Sequence, residues 1–594
     1  MRRKIKSTPD ESIYQRAGRW VLTLTFGVLA LVFWPTANNA NLAKPVLLVA
    51  GLIAINFLLF ARYARGEHIH LGYSAIDLCV GIYTLVLCTS WIYSDYRSQT
   101  VIAMRSGILY AMLYFTTRLI LTDERTRAKL IYTLLLGCTA VSLAGIYERL
   151  GGLPWGNMSA VSSTWFNPTY LAAYLLTVMP LAAWAAFEKR HPFRSAGIAA
   201  LLTGAPALLF TSTVIAWVGV VPILLVALVG AWPLLAADKK KKLAEFAVAC
   251  VVLIGAYQFA SLHWCPTLSP TGVIARAFSA SDASNSERLG LMTTALHIGC
   301  CSPILGKGAG TFGIYAPQNA PHSCYANILR DPSVNGPVII AHAHNEFLEV
   351  FAELGIIGLV AFLSMPIAAA WAILVLQKQK DVSLNDKRLA IALLAGMVGF
   401  LAANMVGRSA RVPGETAYYY ILLAVLASMH AQSEFWRPVR KSKRTFLLAA
   451  ISAVCALLLI IGWSSLTELR SSIYLTRGEA LLTDPYNTAG SAAAAEEFKI
   501  ACRLTPFDPG ACYELGNALA VSGRHYEALD AYKVVEKLSP DYGRVHFNKA
   551  TSLYNLGRYI EAEREMTIAH EQDGLPDSRA RLDYLRSLFH KNSR

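Results

Sequence analysis

His344-Asn345 is followed, after nine residues, by Gly355-Ile356-Ile357-Gly358. The pair closes a polar loop that runs straight into an apolar stretch, which puts an imidazole where water meets membrane. Histidine is the side chain whose ordinary titration lies near neutral pH. At such a boundary it can take a proton from an acceptor hydroxyl or orient it. The same loop carries Ser286-Glu287-Arg288-Leu289 and Ser302-Pro303-Ile304-Leu305-Gly306-Lys307-Gly308-Ala309-Gly310-Thr311-Phe312. The glycine run is not a nucleotide-binding P-loop, because no Gly-Lys-Ser/Thr stands at the required spacing.

Blander readings compete at each position. Loop histidines and surface arginines are commonly just solvated, and His342 and His322 read that way. Glu353 falls in the first turn of an expected span, where a carboxylate stabilises helix N-terminal amides. Asn167-Pro168 starts a helix. Gly306, Gly308 and Gly310 shape a turn.

The elements that must position these residues are membrane helices. The chain has 594 residues, 55% of them hydrophobic, a share that soluble chains of this length rarely reach. Apolar stretches of about 20 residues recur between short basic loops. They predict spans at 19–36, 43–61, 73–92, 99–118, 128–147, 168–187, 195–212, 214–236, 243–262, 351–376, 388–407, 416–431 and 445–464. The fold expected is all-α: a polytopic bundle of about 12–13 spans over 1–464, then a helical domain over 465–594. The net charge of +15 sits mainly in alternate loops. That is the positive-inside pattern, so nucleic acid is not the expected partner. With the N-terminus cytoplasmic, the 263–350 loop and everything after 464 lie outside the membrane. No cleavable signal peptide is evident at the basic start.

Eleven cysteines show no metal-type spacing. Cys79, Cys88, Cys138, Cys250 and Cys455 lie in apolar spans as packing residues. Cys265, Cys300, Cys301 and Cys324 share the outer loop, where an oxidising compartment would permit a disulfide. Arg105 lies inside an apolar span, and Arg408 and Arg411 lie at the outer mouth. Intramembrane cations tend to face a cavity or a partner, so these three are candidate contacts for an anionic substrate.

After 464 the chain becomes charged and periodic. Ala494, Ala528 and Ala562 are spaced by 34 residues, as are Phe498, Tyr532 and Met566. Pro506 and Pro540 keep this step, and so do Gly523-Arg524 and Gly557-Arg558. Residues 490–574 resemble the tetratricopeptide repeat, which implies a helical solenoid that binds a protein partner rather than catalysing.

Over roughly 70–430, the His-Asn/Gly-x-x-Gly spacing resembles the O-antigen ligase and polymerase family of membrane glycosyltransferases. The Arg-Leu and Pro-x-x-Gly-x-Gly pieces, and Trp165-Phe166-Asn167-Pro168-Thr169-Tyr170-Leu171 upstream, extend the likeness. The resemblance implies an enzyme of the bacterial inner membrane that works on its outer face. Its donor would be a glycan on undecaprenyl diphosphate, and its acceptor a lipid, a glycan or a protein. His344 takes the acceptor role, Arg288 the diphosphate, and Asn345, Arg105, Arg408 and Arg411 contact substrate. No cofactor and no metal are implied. Ligase, polymerase and protein oligosaccharyltransferase share this chemistry. The family often places Ser-Arg before a small-residue segment where this chain has Thr213-Val214-Ile215-Ala216-Trp217. That missing cation leaves a non-catalytic membrane scaffold as the rival reading.

Overall fold

The computed structural model describes residues 12–592 apart from 67–69, 72, 122, 154–159, 235–282, 321–340, 408, 413, 432–436, 439–443 and 483–487. The described residues are all-helical, save for one two-residue antiparallel pairing of His70–Leu71 with Arg437–Pro438. In chain order the helices are α1 (Ile13–Leu29), α2 (Ala43–Ala64), α3 (Ala75–Tyr93), α4 (Arg97–Ile120), α5 (Glu124–Arg149), α6 (Pro168–Ala186), α7 (His191–Phe210) and α8 (Val214–Ala231). Then come α9 (Ala283–Cys301), α10 (Phe312–Asn319), α11 (Glu346–Lys378), α12 (Leu384–Ala403), α13 (Glu415–Ala431) and α14 (Arg444–Leu481). A C-terminal set follows: α15 (Thr488–Leu504), α16 (Pro509–Val521), α17 (His525–Leu538), α18 (Val545–Asn555), α19 (Tyr559–Asp573) and α20 (Pro576–Asn592).

Among the described residues, eight helices are long and apolar enough to cross a membrane: α2, α3, α5, α6, α7, α8, α11 and α14. The expected spans at 19–36, 99–118, 388–407 and 416–431 coincide with α1, α4, α12 and α13, which fall short of that test. The expected span at 243–262 lies outside the described residues.

α13 is the centre of the bundle. Every residue from Ala417 to Ala427 is buried, as expected of a helix apolar on all sides. In lipid, burial of apolar surface does not by itself drive helices together; close packing does, and small residues permit it. A Cβ on Gly396 would stand 2.3 Å from the Thr177 carbonyl oxygen, and one on Gly399 2.7 Å from that of Leu176. Those two glycines let α12 lie directly on α6.

α14 has 38 residues, about 57 Å at 1.5 Å per residue. Its apolar first half packs on α2, and its second half continues as the first helix of the C-terminal set, packed on α15. Arg105 of α4 pairs with its Glu468 at 2.5 Å, and Asn38 bonds Glu479 at 2.6 Å. The C-terminal helices pair as successive neighbours. Of the positions at the 34-residue step, the six of the alanine and Phe/Tyr/Met series, Ala494, Phe498, Ala528, Tyr532, Ala562 and Met566, are buried. A disulfide joins Cys502 of α15 to Cys512 of α16. Of the outer-loop cysteines considered above, Cys300 and Cys301 are free and exposed. Cys265, Cys324 and Cys250 lie outside the described residues.

Candidate functional site

The histidine segment is fixed from both sides. α11 starts at Glu346, five residues earlier than hydropathy suggests. Its N-cap is Asn345, whose Oδ1 accepts from the Leu348 N–H at 3.1 Å. The Asn345 Nδ2 donates to the Met405 carbonyl at 3.1 Å, and the Glu346 N–H donates to the Asn404 carbonyl at 2.9 Å. Upstream, the Glu349 carboxylate accepts from His342 Nδ1 and from the Ala343 N–H, each at 2.9 Å. An ionised carboxylate only accepts, which assigns the His342 proton to Nδ1. His344 lies between these anchors with φ +55°. A left-handed non-glycine residue costs on the order of 1–3 kcal/mol and persists only where its surroundings impose it.

The glycine motifs are two halves of one backbone clasp. Gly355 interrupts α11 with φ +63° and ψ −164°. Into the break comes the turn after α9: the Gly308 N–H donates to the Glu353 carbonyl at 2.8 Å, Lys307 N–H to Ala352 at 3.1 Å, and Ile356 N–H to Pro303 at 2.8 Å. Gly306, Gly308 and Gly310 all have positive φ. The nine residues between Asn345 and Gly355 are therefore the stretch of helix from N-cap to break.

Three carboxylates on one face of that stretch meet one guanidinium. Arg411 Nε lies 2.9 and 3.0 Å from the two oxygens of Glu346, and its Nη1 lies 3.0 Å from Glu353. Glu349 is 3.7 Å from Nε. All three glutamates are buried. Glu353 does not lie in the first turn of its helix. It accepts from the Phe312 N–H at 3.3 Å and so caps the start of α10.

A cavity of about 300 Å³ is lined by Asn167, Thr169, Tyr170, Ser212, Thr213, Val214, Ile215, Arg288, His344, Val406 and Gly407. It brings Arg288 and His344 onto one space, with Val214 beside them. Three helices open onto it at their N-terminal ends: α6 at Thr169, α8 at Val214 and α11 just after His344. Each is preceded by a left-handed residue: Phe166 (φ +55°), Ser212 (+52°) and His344 (+55°). The Thr213 N-cap of α8 makes no side-chain capping bond. Helix N-termini carry partial positive charge, so the cavity favours an anion even before Arg288 is counted.

Three other expected substrate contacts, Arg105, Arg411 and Asn345, make protein contacts in this structure. Arg105 does not line the cavity; it pairs with Glu468 and donates to Ser464 at 2.6 Å. Arg411 holds α11 through its glutamates, and Asn345 caps that helix. Arg408 lies outside the described residues. One group with metal-type spacing occurs among the described residues: Glu536, His546 and Glu565, within 4.8 Å of one another. Lys549 Nζ lies 2.7 Å from both glutamates, so an ammonium already fills the place a metal would take. Burial pulls the His546 pKa down, but Asp541 and Glu565 outweigh it and raise it to about 9.

Sequence reasoning missed the roles of Glu346 and Glu349. Their signal was present as three carboxylates at 346, 349 and 353, one face of an apolar helix. The convergence of three helix starts had no local signal.

Residues 198–363 match the family model of the O-antigen ligase. The match contains Val214, Arg288, His344 and Gly355. Two curated proteins are similar over a short stretch. The peroxisomal targeting signal receptor of Kluyveromyces lactis is 35% identical over 82 residues, 13% of this chain and 14% of that protein. That of Eremothecium gossypii is 36% identical over 81 residues, with the same shares. The chain spans 14% of the length of these relatives. The apolar helices describe a multi-pass membrane protein, and its 198–363 segment is similar to the O-antigen ligase family.

Proposed function

We propose that the chain transfers a glycan from undecaprenyl diphosphate to an acceptor hydroxyl, in the cavity that Arg288 and His344 share. That shared cavity, whose Arg288 and His344 both fall in the segment matched to the ligase family, is the observation that carries the reading. The acceptor oxygen attacks the anomeric carbon as the bond to the diphosphate oxygen breaks. His344 takes the hydroxyl proton. The diphosphate leaves with the bonding electrons, and Arg288 and the first-turn amides of α8 meet its developing charge. Val214 stands where the family often has arginine, and here the uncapped start of α8 supplies the positive field in its place. The reaction needs no metal.

The ligase reaction is favoured by family likeness. Polymerisation, or transfer to protein, would use the same site with another acceptor. The C-terminal helices read as tetratricopeptide repeats that recruit a partner, and the burial of those six step positions supports this. Disulfides persist in oxidising compartments, so the Cys502–Cys512 bond supports an extracytoplasmic repeat domain on an inner-membrane protein.

The test is purified full-length protein with a synthetic undecaprenyl-diphosphate glycan and several acceptors, with and without excess chelator. Transfer that survives chelation and is lost in His344→Ala supports the proposal. A folded parent inactive with every acceptor would favour the scaffold, the reading that Val214 motivates.

A further inference from the structure

We infer that Glu349 is a positioning residue for His344: its carboxylate, backed by Arg411, holds the backbone turn that presents the imidazole to the cavity. The inference rests on the proposed role of His344 and adds a residue that does not itself line the cavity.

The argument starts from the strained turn. A left-handed histidine relaxes unless both flanks are tied. Downstream the ties belong to α11 itself and to the end of α12: the Asn345 cap, and the Glu346 N–H on the Asn404 carbonyl. Upstream, one side chain does the tying. Glu349 accepts from the Ala343 N–H through one oxygen and from His342 Nδ1 through the other, at 2.9 Å each. It therefore grips the two residues that immediately precede His344. Ala343 is fully buried, so its N–H would have no water to replace the lost acceptor.

Glu349 is itself buried, with only 2% of its side chain exposed. A carboxylate so placed needs partners. His342 supplies one and Arg411 another, 3.7 Å away. Arg411 is also bound to Glu346 and Glu353, one turn before and one turn after. The guanidinium thus fixes where along α11 the Glu349 carboxylate stands. This gives Arg411 a place in the site without contact with substrate, and it makes His342 part of the support.

Glu349→Gln keeps the shape and removes the charge. Hydrogen exchange followed by mass spectrometry should show the Ala343 amide exchanging at least about tenfold faster, because local opening sets that rate. Diethyl pyrocarbonate modification of His344 should change at least about threefold. In the transfer assay kcat should fall about 10- to 100-fold, the scale of a misplacement near 1 Å. The KM for donor should stay within about threefold. The double variant with His344→Ala should be no slower than His344→Ala alone, since a residue acting through another shows such non-additivity. A general structural role would instead lower both backgrounds. If Glu349→Gln does not fold, Glu349→Asp takes its place: it keeps the charge toward Arg411 and falls about 1.5 Å short of Ala343.

Unchanged exchange at Ala343 overturns the inference. So does faster exchange with unchanged kcat, or an additive double variant. If the folded parent transfers no glycan at all, the functional proposal fails. The exchange and modification rates then still decide whether Glu349 fixes His344.

Discussion

Gly355→Ala should break the clasp that joins the turn after α9 to α11. The conformation at 355, φ +63° with ψ −164°, lies in a region essentially reserved for glycine, and forcing another residue there costs on the order of 1–3 kcal/mol. Space is a second obstacle. The new Cβ would stand 2.3 Å from the Ile304 oxygen, 2.4 Å from its carbonyl carbon and 2.6 Å from Leu305 N. These are backbone atoms held by the Ile356–Pro303 and Gly308–Glu353 bonds, so they cannot swing aside as a side-chain tip would. Strain and lost backbone bonds together come to roughly 3–5 kcal/mol, taking about 1 kcal/mol for each bond. At 1.4 kcal/mol per tenfold, protection of the Gly308 and Ile356 amides should fall about 100-fold or more. The assay is hydrogen exchange on the full-length protein, with glycan transfer measured in parallel. Gly81→Ala is the control: it lies in α3 with nothing within 4 Å of its new Cβ, and alanine favours a helix over glycine by about 1 kcal/mol. If Gly355→Ala kept its protection and its transfer rate, the interlock would not hold the loop and the reasoning would fail.

Replacing His344 by Ala should lower turnover by about a hundred- to ten-thousand-fold with donor binding little changed. Arg288→Ala should weaken donor binding, and Arg288→Lys should recover only part, because an ammonium lacks the planar fork; equal donor affinity in all three would refute the diphosphate assignment. The His546 cluster should be pH-sensitive. Its folded pKa of about 9 lies above the ordinary 6.5, so its stabilisation is complete below about pH 6.5 and is lost as pH rises through 9. The gap in thermal stability between the full chain and His546→Asn should therefore shrink over that window, and a constant gap would contradict it. Ending the chain after residue 468 removes the Gln318–Asp541 and Gln99–Phe507 bonds, at 2.5 and 2.6 Å. Transfer to a small acceptor should persist, at a reduced rate because α10 and α4 lose these braces; complete loss in a folded protein would end the modular reading.

What the sequence made legible was local. The His-Asn pair and the glycines nine residues later are an N-cap and a helix break, and both are written in neighbouring residue types. The 34-residue step is likewise a repeated local pattern, and its positions pack where small and large residues alternate. Distance in the chain hid the rest. Glu346, Glu349 and Glu353 look like the end of a polar loop to a hydropathy average, so α11 reads as starting near 351. Arg411, 58 residues beyond Glu353, is the cation that all three of those carboxylates share inside the helix. Hydropathy also ended α14 at 464, because Glu468 and Arg470 are charged. The helix continues since Glu468 meets Arg105, a partner 363 residues earlier in the chain. The intramembrane arginine and the expected domain boundary are thus two ends of one ion pair.

That pair bears on how the two parts of the molecule act together. α14 packs on the bundle and enters the C-terminal set without a turn, so that set is attached by a continuous helix rather than a linker. Continuous helix transmits orientation where a flexible tether would not. Two further bonds fix the same arrangement from the other side. Gln318, at the end of α10, meets Asp541 in the turn between α17 and α18, and Gln99 of α4 meets the carbonyl of Phe507 between α15 and α16. α10 begins at the amide that Glu353 caps, and Glu353 belongs to the cluster that Arg411 gathers behind His344. The C-terminal set is therefore connected to the histidine segment through Asp541, α10 and Glu353, by the Gln318–Asp541 and Phe312–Glu353 hydrogen bonds. On the proposed function, recruitment through the C-terminal set and acceptor activation at His344 would then belong to one connected body, and the reduced rate expected of the truncated chain measures how tightly that connection holds.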